Sequence, residues 1–156
     1  MKRRAVLSAA ALAAPAMTVA QTSPDIEALQ REAWDTEVAF ARTMAERDLA
    51  AFERFLSPHT VWWSGPKGSA LRGKAAVVAA WKRFYEGPQA PFSWEPDEVV
   101  VIGDGTLAAS TGPVRDPGGK VVLRYRSVWR REPDGRWLIV LDRGEAVAPP
   151  KPASAP

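Results

Sequence analysis

The chain of 156 residues contains no cysteine and only one histidine, His59. Without cysteine no disulfide framework can form, so the packing of a hydrophobic core must hold the fold together. One histidine without any cysteine also argues against a zinc or haem site. We therefore expect neither a bound metal ion nor a cofactor. The length suits one domain with a core of its own.

The apolar stretch near the N-terminus, Ala5 to Ala16, is too short to span a bilayer as a stable anchor. It follows a cluster of basic residues and precedes the small-residue sequence Thr18-Val19-Ala20. This order is typical of a secretory signal, so residues 1–20 are predicted to be a signal peptide and the protein to be exported to the bacterial periplasm. An uncleaved anchor is the alternative. After cleavage we expect no stable membrane insertion, and Arg3-Arg4 also fits a loose twin-arginine export pattern.

An excess of positive charge is lacking once the predicted signal is set aside. Three of the 21 basic residues lie within residues 1–20, and the 18 that remain balance the 18 acidic residues of the chain. A neutral mature chain does not carry the electrostatic footprint of a nucleic-acid-binding protein. No nucleic-acid partner is therefore expected.

Hydrophobic periodicity predicts a long N-terminal helix that is capped by Ser23 and runs to about Arg47. Glu37 is the one carboxylate of this helix that lies between its apolar stripes. Two shorter helices are predicted, from Leu49 to Leu56 after the cap Asp48, and from Lys74 to Glu86.

Alternating apolar residues between turn sequences predict the strands. Short strands are expected at Thr60–Ser64 and Ser69–Leu71, and long ones at Phe92–Ile102, Thr106–Val114, Val121–Arg131 and Arg136–Glu145. Pro96 should place the second half of its strand near an edge or a bulge. Helices followed by a strand meander predict an α+β domain, with helices on one face of a curved antiparallel sheet. Residues 147–156 lack an apolar pattern and are predicted to be a disordered tail.

The order of these elements and the residues at their joints resemble the ketosteroid-isomerase-like, SnoaL-like superfamily (nuclear-transport-factor-2-like), and within it the group called domain of unknown function 4440. The matching stretches are Arg47-Asp48-Leu49, His59 to Trp63, Leu71 to Lys74, Gly103-Asp104-Gly105, Ser110-Thr111-Gly112, Ser127 to Arg131, Asp134 to Trp137 and Asp142-Arg143-Gly144. The resemblance implies one cone-shaped domain over residues 21–146, in which a bent sheet wraps around the long N-terminal helix and opens to a pocket. It also implies a homodimer that forms through the outer sheet face.

Three residues are candidates for catalysis. Glu37 faces apolar surroundings that disfavour its charged form, which suits a general base. His59 carries an imidazole, the side-chain type that most often serves as a proton shuttle. Tyr125 shares the presumed inner face of its strand with Trp129, and the resemblance to ketosteroid isomerases implies that it donates a hydrogen bond to a developing oxyanion. For Glu37 the alternative is pairing with an arginine or a place at the rim, and for His59 an ordinary turn.

The acidic pair of a ketosteroid isomerase has no convincing match in this sequence. Asp35 is expected to point to solvent, Asp97 follows Pro96, and Asp142 alternates away from the apolar face of its strand. This absence argues against a steroid isomerase.

The chain is rich in tryptophan, with seven residues. The predicted ligand-binding residues are Trp34, Trp63, Trp81, Tyr85, Trp94 and Ser127. Trp129 and Trp137 are expected to fill the core between the helix and the sheet. The sequence thus predicts an exported domain that binds a small apolar or aromatic molecule and has isomerase-like or dehydratase-like acid/base chemistry. The alternative is a non-catalytic homodimeric accessory or interaction module whose cone is packed.

Overall fold

A computed structural model of the protein describes residues 24–63 and 69–147. The predicted signal peptide, and the predicted tail beyond its first residue, lie outside these residues. Within the described ranges, no helix is long and apolar enough to cross a membrane.

The long N-terminal helix, α1, extends from Ile26 to Ala45. Its N-cap is Asp25, whose carboxylate accepts a hydrogen bond of 3.0 Å from the backbone N–H of Ala28. The prediction of Ser23 as the cap was therefore wrong, because a carboxylate two residues further on satisfies the exposed N–H groups of the first turn. Arg47 leaves the helix with a φ of 61°. This left-handed residue turns the chain towards the second helix.

The second helix, α2, spans Leu49–Arg54, and the third, α3, spans Lys74–Trp81. Asp48 caps α2 by accepting a bond of 2.8 Å from the N–H of Ala51, as predicted. Beyond α3 the chain tightens into a 3-10 turn over Lys82–Tyr85, so the predicted single helix changes form in its last part.

Seven strands occur in the described part of the chain. They are β1 (Leu56–Trp63), β2 (Ala70–Arg72), β3 (Ser93–Trp94), β4 (Glu98–Ile102), β5 (Leu107–Arg115), β6 (Val121–Arg131) and β7 (Trp137–Ala146). The strand predicted from Phe92 to Ile102 is interrupted around Pro96, which lies between β3 and β4. Both short strands pair with β5, and β4 has no second partner in the described sheet. The edge position predicted from Pro96 is confirmed, because proline cannot donate to a central ladder.

The strands form a single mixed sheet in the order β2-β1-β7-β6-β5-β3, with β4 also paired to β5. All pairs are antiparallel except β1 and β7, which run parallel. The prediction of a fully antiparallel sheet was therefore wrong at one pair. β1 pairs with β7, the last strand of the meander that begins at β4, and runs parallel to it. The α+β class and the curved sheet with the long helix packed on it are confirmed, and the strands that α1 contacts are β3, β4 and β5.

One residue of β7 breaks the alternation of that strand. On β6, Trp129 and Ser127 are two residues apart, whereas their partners on β7, Ile139 and Asp142, are three residues apart. Val140 is the extra residue of this β-bulge. Because side chains alternate between faces, one additional residue transfers Asp142 to the inner face that Ser127 occupies.

The core lies between α1, α2 and the inner face of the sheet. Trp129 and Trp137 are buried there, as predicted. Trp129 packs edge-on against Phe40 of α1, with ring centroids 5.7 Å apart, and Phe40 stacks on Phe52 of α2 at 5.3 Å. These aromatic contacts fix the helices over the sheet.

Candidate functional site

A cavity of about 910 Å³ opens between α3, the 3-10 turn, β3 and the strands β1, β6 and β7. Eight aromatic side chains line it, and we call the seven other than Tyr125 the aromatic wall: Phe40, Trp62, Trp63, Trp81, Phe84, Phe92 and Trp94. Trp81 is central, with centroid distances of 4.8 Å to Trp62 and 6.3 Å to Trp94. The volume falls in the range of about 300–1,000 Å³ that small-molecule sites occupy. The cone is thus open to a ligand.

Tyr125 brings a phenol to this cavity from the inner face of β6. Its hydroxyl is buried and has no hydrogen-bond partner among the described residues. Burial raises the pKa of Tyr125 far above its ordinary value, and the carboxyl groups of Glu37 and Asp142 add to this effect, while the nearby Ser110 opposes it. Tyr125 therefore stays protonated and can donate a hydrogen bond to a ligand.

Glycines on both neighbouring strands flank Tyr125, and one of them makes room for its ring. Gly112 of β5 and Gly144 of β7 are its cross-strand partners. A Cβ atom on Gly112 would lie 1.9 Å from the carbonyl oxygen of Glu95 and 2.9 Å from Cε1 of Tyr125. The close approach of Glu95 therefore requires glycine at position 112.

Asp142 is the second polar group of the cavity, and it is only 5% exposed. The hydroxyl of Ser127 donates a bond of 2.6 Å to its Oδ2 atom. Burial raises the pKa of Asp142 to about 8, the bond from Ser127 opposes the rise, and the charge of Glu37 adds to it. The carboxyl is thus a neutral acid at neutral pH and a base slightly above it.

Glu37 is fully buried and bound by three donors from the sheet. Trp94 Nε1 donates to its Oε1 atom at 3.0 Å, while Ser110 Oγ and Trp129 Nε1 donate to Oε2 at 2.6 and 2.9 Å. Burial raises the pKa of Glu37, and the three hydrogen bonds oppose the rise. Glu37 is not among the residues that line the cavity. It lies behind the aromatic wall, where the Trp94 indole connects it to the cavity.

The structure does not bring His59 and Trp34 to the cavity. His59 is exposed on β1, next to the irregular register between β1 and β7. Trp34 is 38% exposed on the outer face of α1, where it borders a separate shallow groove. It points outward because Ala33 and Glu37 are buried on the opposite face of the helix.

The remaining predicted ligand-binding residues divide into two groups. Trp63, Trp81 and Trp94 lie on the aromatic wall. Tyr85 and Ser127 are buried outside the cavity lining. The Tyr85 hydroxyl lies 3.0 Å from Thr43 Oγ1, and burial raises its pKa to about 12. Ser127 is connected to the cavity only indirectly, through the hydrogen bond that it donates to Asp142.

The sequence reasoning missed several cavity residues, among them Asp142, Trp62, Arg83 and Phe84. The alternation of β7 assigns Asp142 to the outer face unless the bulge at Val140 is known, and no residue type marks that bulge. Trp62 shares the inner face of β1 with Thr60, and the burial of that polar residue is evident only in the structure. Within residues 24–63 and 69–147, no group of three histidine, aspartate or glutamate side chains could hold a metal ion.

Comparisons with known proteins agree with this architecture. A sequence model of the SnoaL-like domain matches residues 38–140, which is more than half of the chain. A search of curated proteins finds no match. Among solved structures, an NTF2-like protein of unknown function from Pseudomonas putida is similar at 18% identity and a TM-score of 0.65, covering 83% of this chain and 94% of its own.

Two further structures share the fold at low identity. A dehydratase candidate of the NTF2-like family from Streptomyces avermitilis is 18% identical, with a TM-score of 0.63, and the match covers 79% of this chain and 99% of that one. A ketosteroid isomerase-like protein from Erwinia carotovora is 17% identical, with a TM-score of 0.58 and coverage of 77% and 97%. The match that begins within α1 and ends within β7 shows that this chain belongs to the SnoaL-like domain family.

Proposed function

We propose that this protein binds a small, largely apolar carbonyl compound in its cavity and transfers a proton at the carbon beside the carbonyl group. The observation that carries the proposal is that an unpartnered buried phenol, Tyr125, and a buried carboxyl, Asp142, both line a cavity that is mostly apolar. Buried polar groups without partners are costly, so a ligand oxygen that satisfies the phenol would stabilise the complex.

In the proposed reaction Asp142 acts as the base and Tyr125 as the hydrogen-bond donor. A carboxyl with a pKa of about 8 becomes ionised as the pH rises above neutrality, and its ionised form can remove a proton from the carbon next to the carbonyl. Tyr125 donates to the oxygen on which negative charge then develops. The protonated Asp142 returns the proton to the substrate, which gives an isomerisation when it is delivered to a different carbon.

The same pair supports a dehydratase-like outcome when the substrate carries a hydroxyl one carbon further from the carbonyl. The enolate formed by Asp142 then expels that hydroxyl, and the proton held by Asp142 leaves with it as water. Both outcomes begin with the same proton removal. That first step is therefore the one to test.

Deuterium exchange at the methyl group of para-acetylbiphenyl, followed by NMR in D₂O at about pH 8, tests the proposal. Removal of a catalytic base or an oxyanion donor typically costs about 100-fold or more, so Asp142→Asn and Tyr125→Phe should each slow exchange to that extent. His59→Gln serves as the matched control, because His59 is exposed outside the cavity. Exchange that survives Asp142→Asn but not His59→Gln would reassign the base to the histidine.

The alternative function, a non-catalytic homodimeric module with a packed cone, gains no support from the open cavity. Homodimer formation is compatible with the proposed activity and remains part of the proposal. Val100 and Ile102 of β4 are both 45% exposed on the outer face of the sheet, which offers apolar surface to a second copy. Light scattering of the purified protein should give twice the monomer mass, and a monomer at high concentration would contradict this.

Export to the periplasm also remains a proposal, supported by the basic and apolar pattern of residues 1–20. N-terminal sequencing of the protein from a bacterial periplasmic fraction should find Gln21 as the first residue. Retention of Met1 in the cytoplasmic fraction would contradict export. Membership of the domain of unknown function 4440 group remains a prediction from the sequence motifs.

A further inference from the structure

Arg83 is a cation on the cavity lining that has no carboxylate partner. All 18 acidic residues of the chain lie in the part that the structure describes, and none of them forms an ion pair with Arg83. The other arginine of the lining, Arg143, differs because its Nε atom lies 3.3 Å from Glu145 Oε1. Among the described residues that line the cavity, Arg83 is therefore the one cation without a carboxylate within ion-pair distance.

The aromatic wall holds the Arg83 guanidinium at the solvent side of the cavity. The Cζ atom of Arg83 lies 4.6 Å from the centroid of the Phe84 ring. Phe84 packs in turn against Phe92 at 5.3 Å and Trp81 at 5.6 Å. One face of the guanidinium is thus covered by a ring, while the residue itself is exposed. A guanidinium stacked in this way still offers the N–H edge that binds a carboxylate with two hydrogen bonds.

The buried end of the cavity does not suit an anion. Asp142 ionises there above neutral pH, and Glu37 lies close enough to influence it. An anionic group there would lose its hydration, and it would repel the negative charge that Asp142 takes on when it acts as the base. A negative group on the ligand would therefore be favoured at the solvent side, beside Arg83.

We propose that the ligand of this cavity is an amphipathic keto acid, which places its ketone oxygen at Tyr125, its apolar body along the aromatic wall and its carboxylate at Arg83. The inference rests on the proposed function for the position of the ketone. It adds the class of substrate, because an apolar ketone alone would leave Arg83 without a partner.

Titration calorimetry of the mature protein with a matched pair of probes tests this inference. The neutral probe is para-acetylbiphenyl, and the acid probe is the same ketone with a carboxylate at the para position of its second ring. A charge-assisted bond at a partly exposed site should make the acid bind about tenfold more tightly at low salt. Raising the salt concentration should reduce this preference, because the ion pair is open to solvent.

The variant Arg83→Gln should lower the affinity for the acid about tenfold and leave the affinity for the neutral ketone unchanged within about twofold. Lys82→Gln is the matched control, since Lys82 is the exposed neighbour that carries the same charge but does not line the cavity. It should change neither affinity by more than about twofold.

The inference is overturned if the acid binds no more tightly than the ketone, or if both variants weaken its binding equally. In either case binding of the neutral ketone, with its dependence on Tyr125, would leave the proposed function standing. If neither probe binds, the proposed function and the inference both fail. If the acid binds tightly without any dependence on Tyr125, the role of Arg83 stands and the assigned position of the ketone fails.

Discussion

At the scale of single residues, the molecule contains two buried carboxyls with different surroundings. Glu37 receives three hydrogen bonds from the sheet and lies behind the aromatic wall, whereas Asp142 receives one from Ser127 and borders the cavity. Burial raises the pKa of both groups. Because only Asp142 lines the cavity, we assign the proton transfer to Asp142. The three hydrogen bonds of Glu37 connect α1 to the inner face of the sheet.

Asp142 should make stability depend on pH. Its pKa is about 8 in the folded protein against an ordinary value of 3.8, so the folded state keeps a proton that the unfolded chain releases between these values. Stability should therefore fall as pH rises from about 4 to 8, by at most about 1.4 kcal/mol per pH unit from this group. Glu37 acts in the same direction. The comparison of wild type with Asp142→Asn isolates the part of this pH dependence that comes from Asp142.

Urea denaturation of both proteins at several pH values provides the measurement. The stability of Asp142→Asn relative to wild type should improve steadily across this interval and then level off. A difference that does not change with pH would mean that the folded-state pKa of Asp142 is close to that of the unfolded chain.

Glu37→Gln should destabilise the fold by about 1–3 kcal/mol, because an amide nitrogen would replace an oxygen that accepts hydrogen bonds. Whichever way the amide turns, its NH₂ group faces at least one indole or hydroxyl donor of the sheet. The free energy of unfolding from urea titration checks this expectation. Asp35→Asn, on the exposed side of the same helix, is the control and should change stability by less than about 0.5 kcal/mol. Equal stability of both variants would contradict the role assigned to Glu37.

At the scale of elements, the bulge in β7 sets the composition of the site. Ser110, Ser127 and Asp142 form a row of cross-strand partners on the inner face of β5, β6 and β7. Without Val140 as an extra residue, Asp142 would face outward and this row would lack a carboxyl. In the neighbouring row, Tyr125 lies between two glycines. Register thus determines which polar groups meet the ligand.

The two glycines beside Tyr125 should respond differently to substitution by alanine. Gly112→Ala should cost about 1–3 kcal/mol or more, because its Cβ would overlap the backbone oxygen of Glu95. Gly144→Ala should cost less than about 1 kcal/mol, since the nearest atom to its Cβ is Leu123 Cδ1 at an ordinary 3.7 Å. Thermal unfolding of both variants checks the contrast. Similar losses at the two positions would show that glycine is needed there for another reason.

The elements were largely predictable from the sequence, and the site was only partly so. The apolar stripes of α1 and the turns between strands carry strong local signals, so the α+β class and the position of Glu37 on the apolar face of α1 could be predicted, while the alternatives of an arginine pair or a place at the rim stayed open for its side chain. Local signals say nothing about which side chain stands between Glu37 and the cavity, because the position of Trp94 depends on pairing between β3 and β5. The inward position of Asp142 depends on a bulge without a residue signature, which is why its acidic side chain was discounted.

At the scale of the whole molecule, the curved sheet and its helices enclose a cavity without the help of disulfides. Aromatic side chains stabilise the fold through mutual packing and at the same time provide an apolar surface for a ligand. The exposed aromatic residue on α1, Trp34, takes no part in this arrangement. The parallel pair of β1 and β7 places the tryptophans of β1 next to Asp142, since Trp62 and Asp142 are register partners.

A crystal structure of the protein with para-acetylbiphenyl would show whether the ketone binds at Tyr125. The biphenyl should lie against the aromatic wall with its ketone oxygen about 2.7–3.1 Å from the hydroxyl of Tyr125 and with Asp142 beside the methyl carbon. A ligand bound elsewhere, or one in the cavity whose oxygen points away from Tyr125, would contradict this prediction.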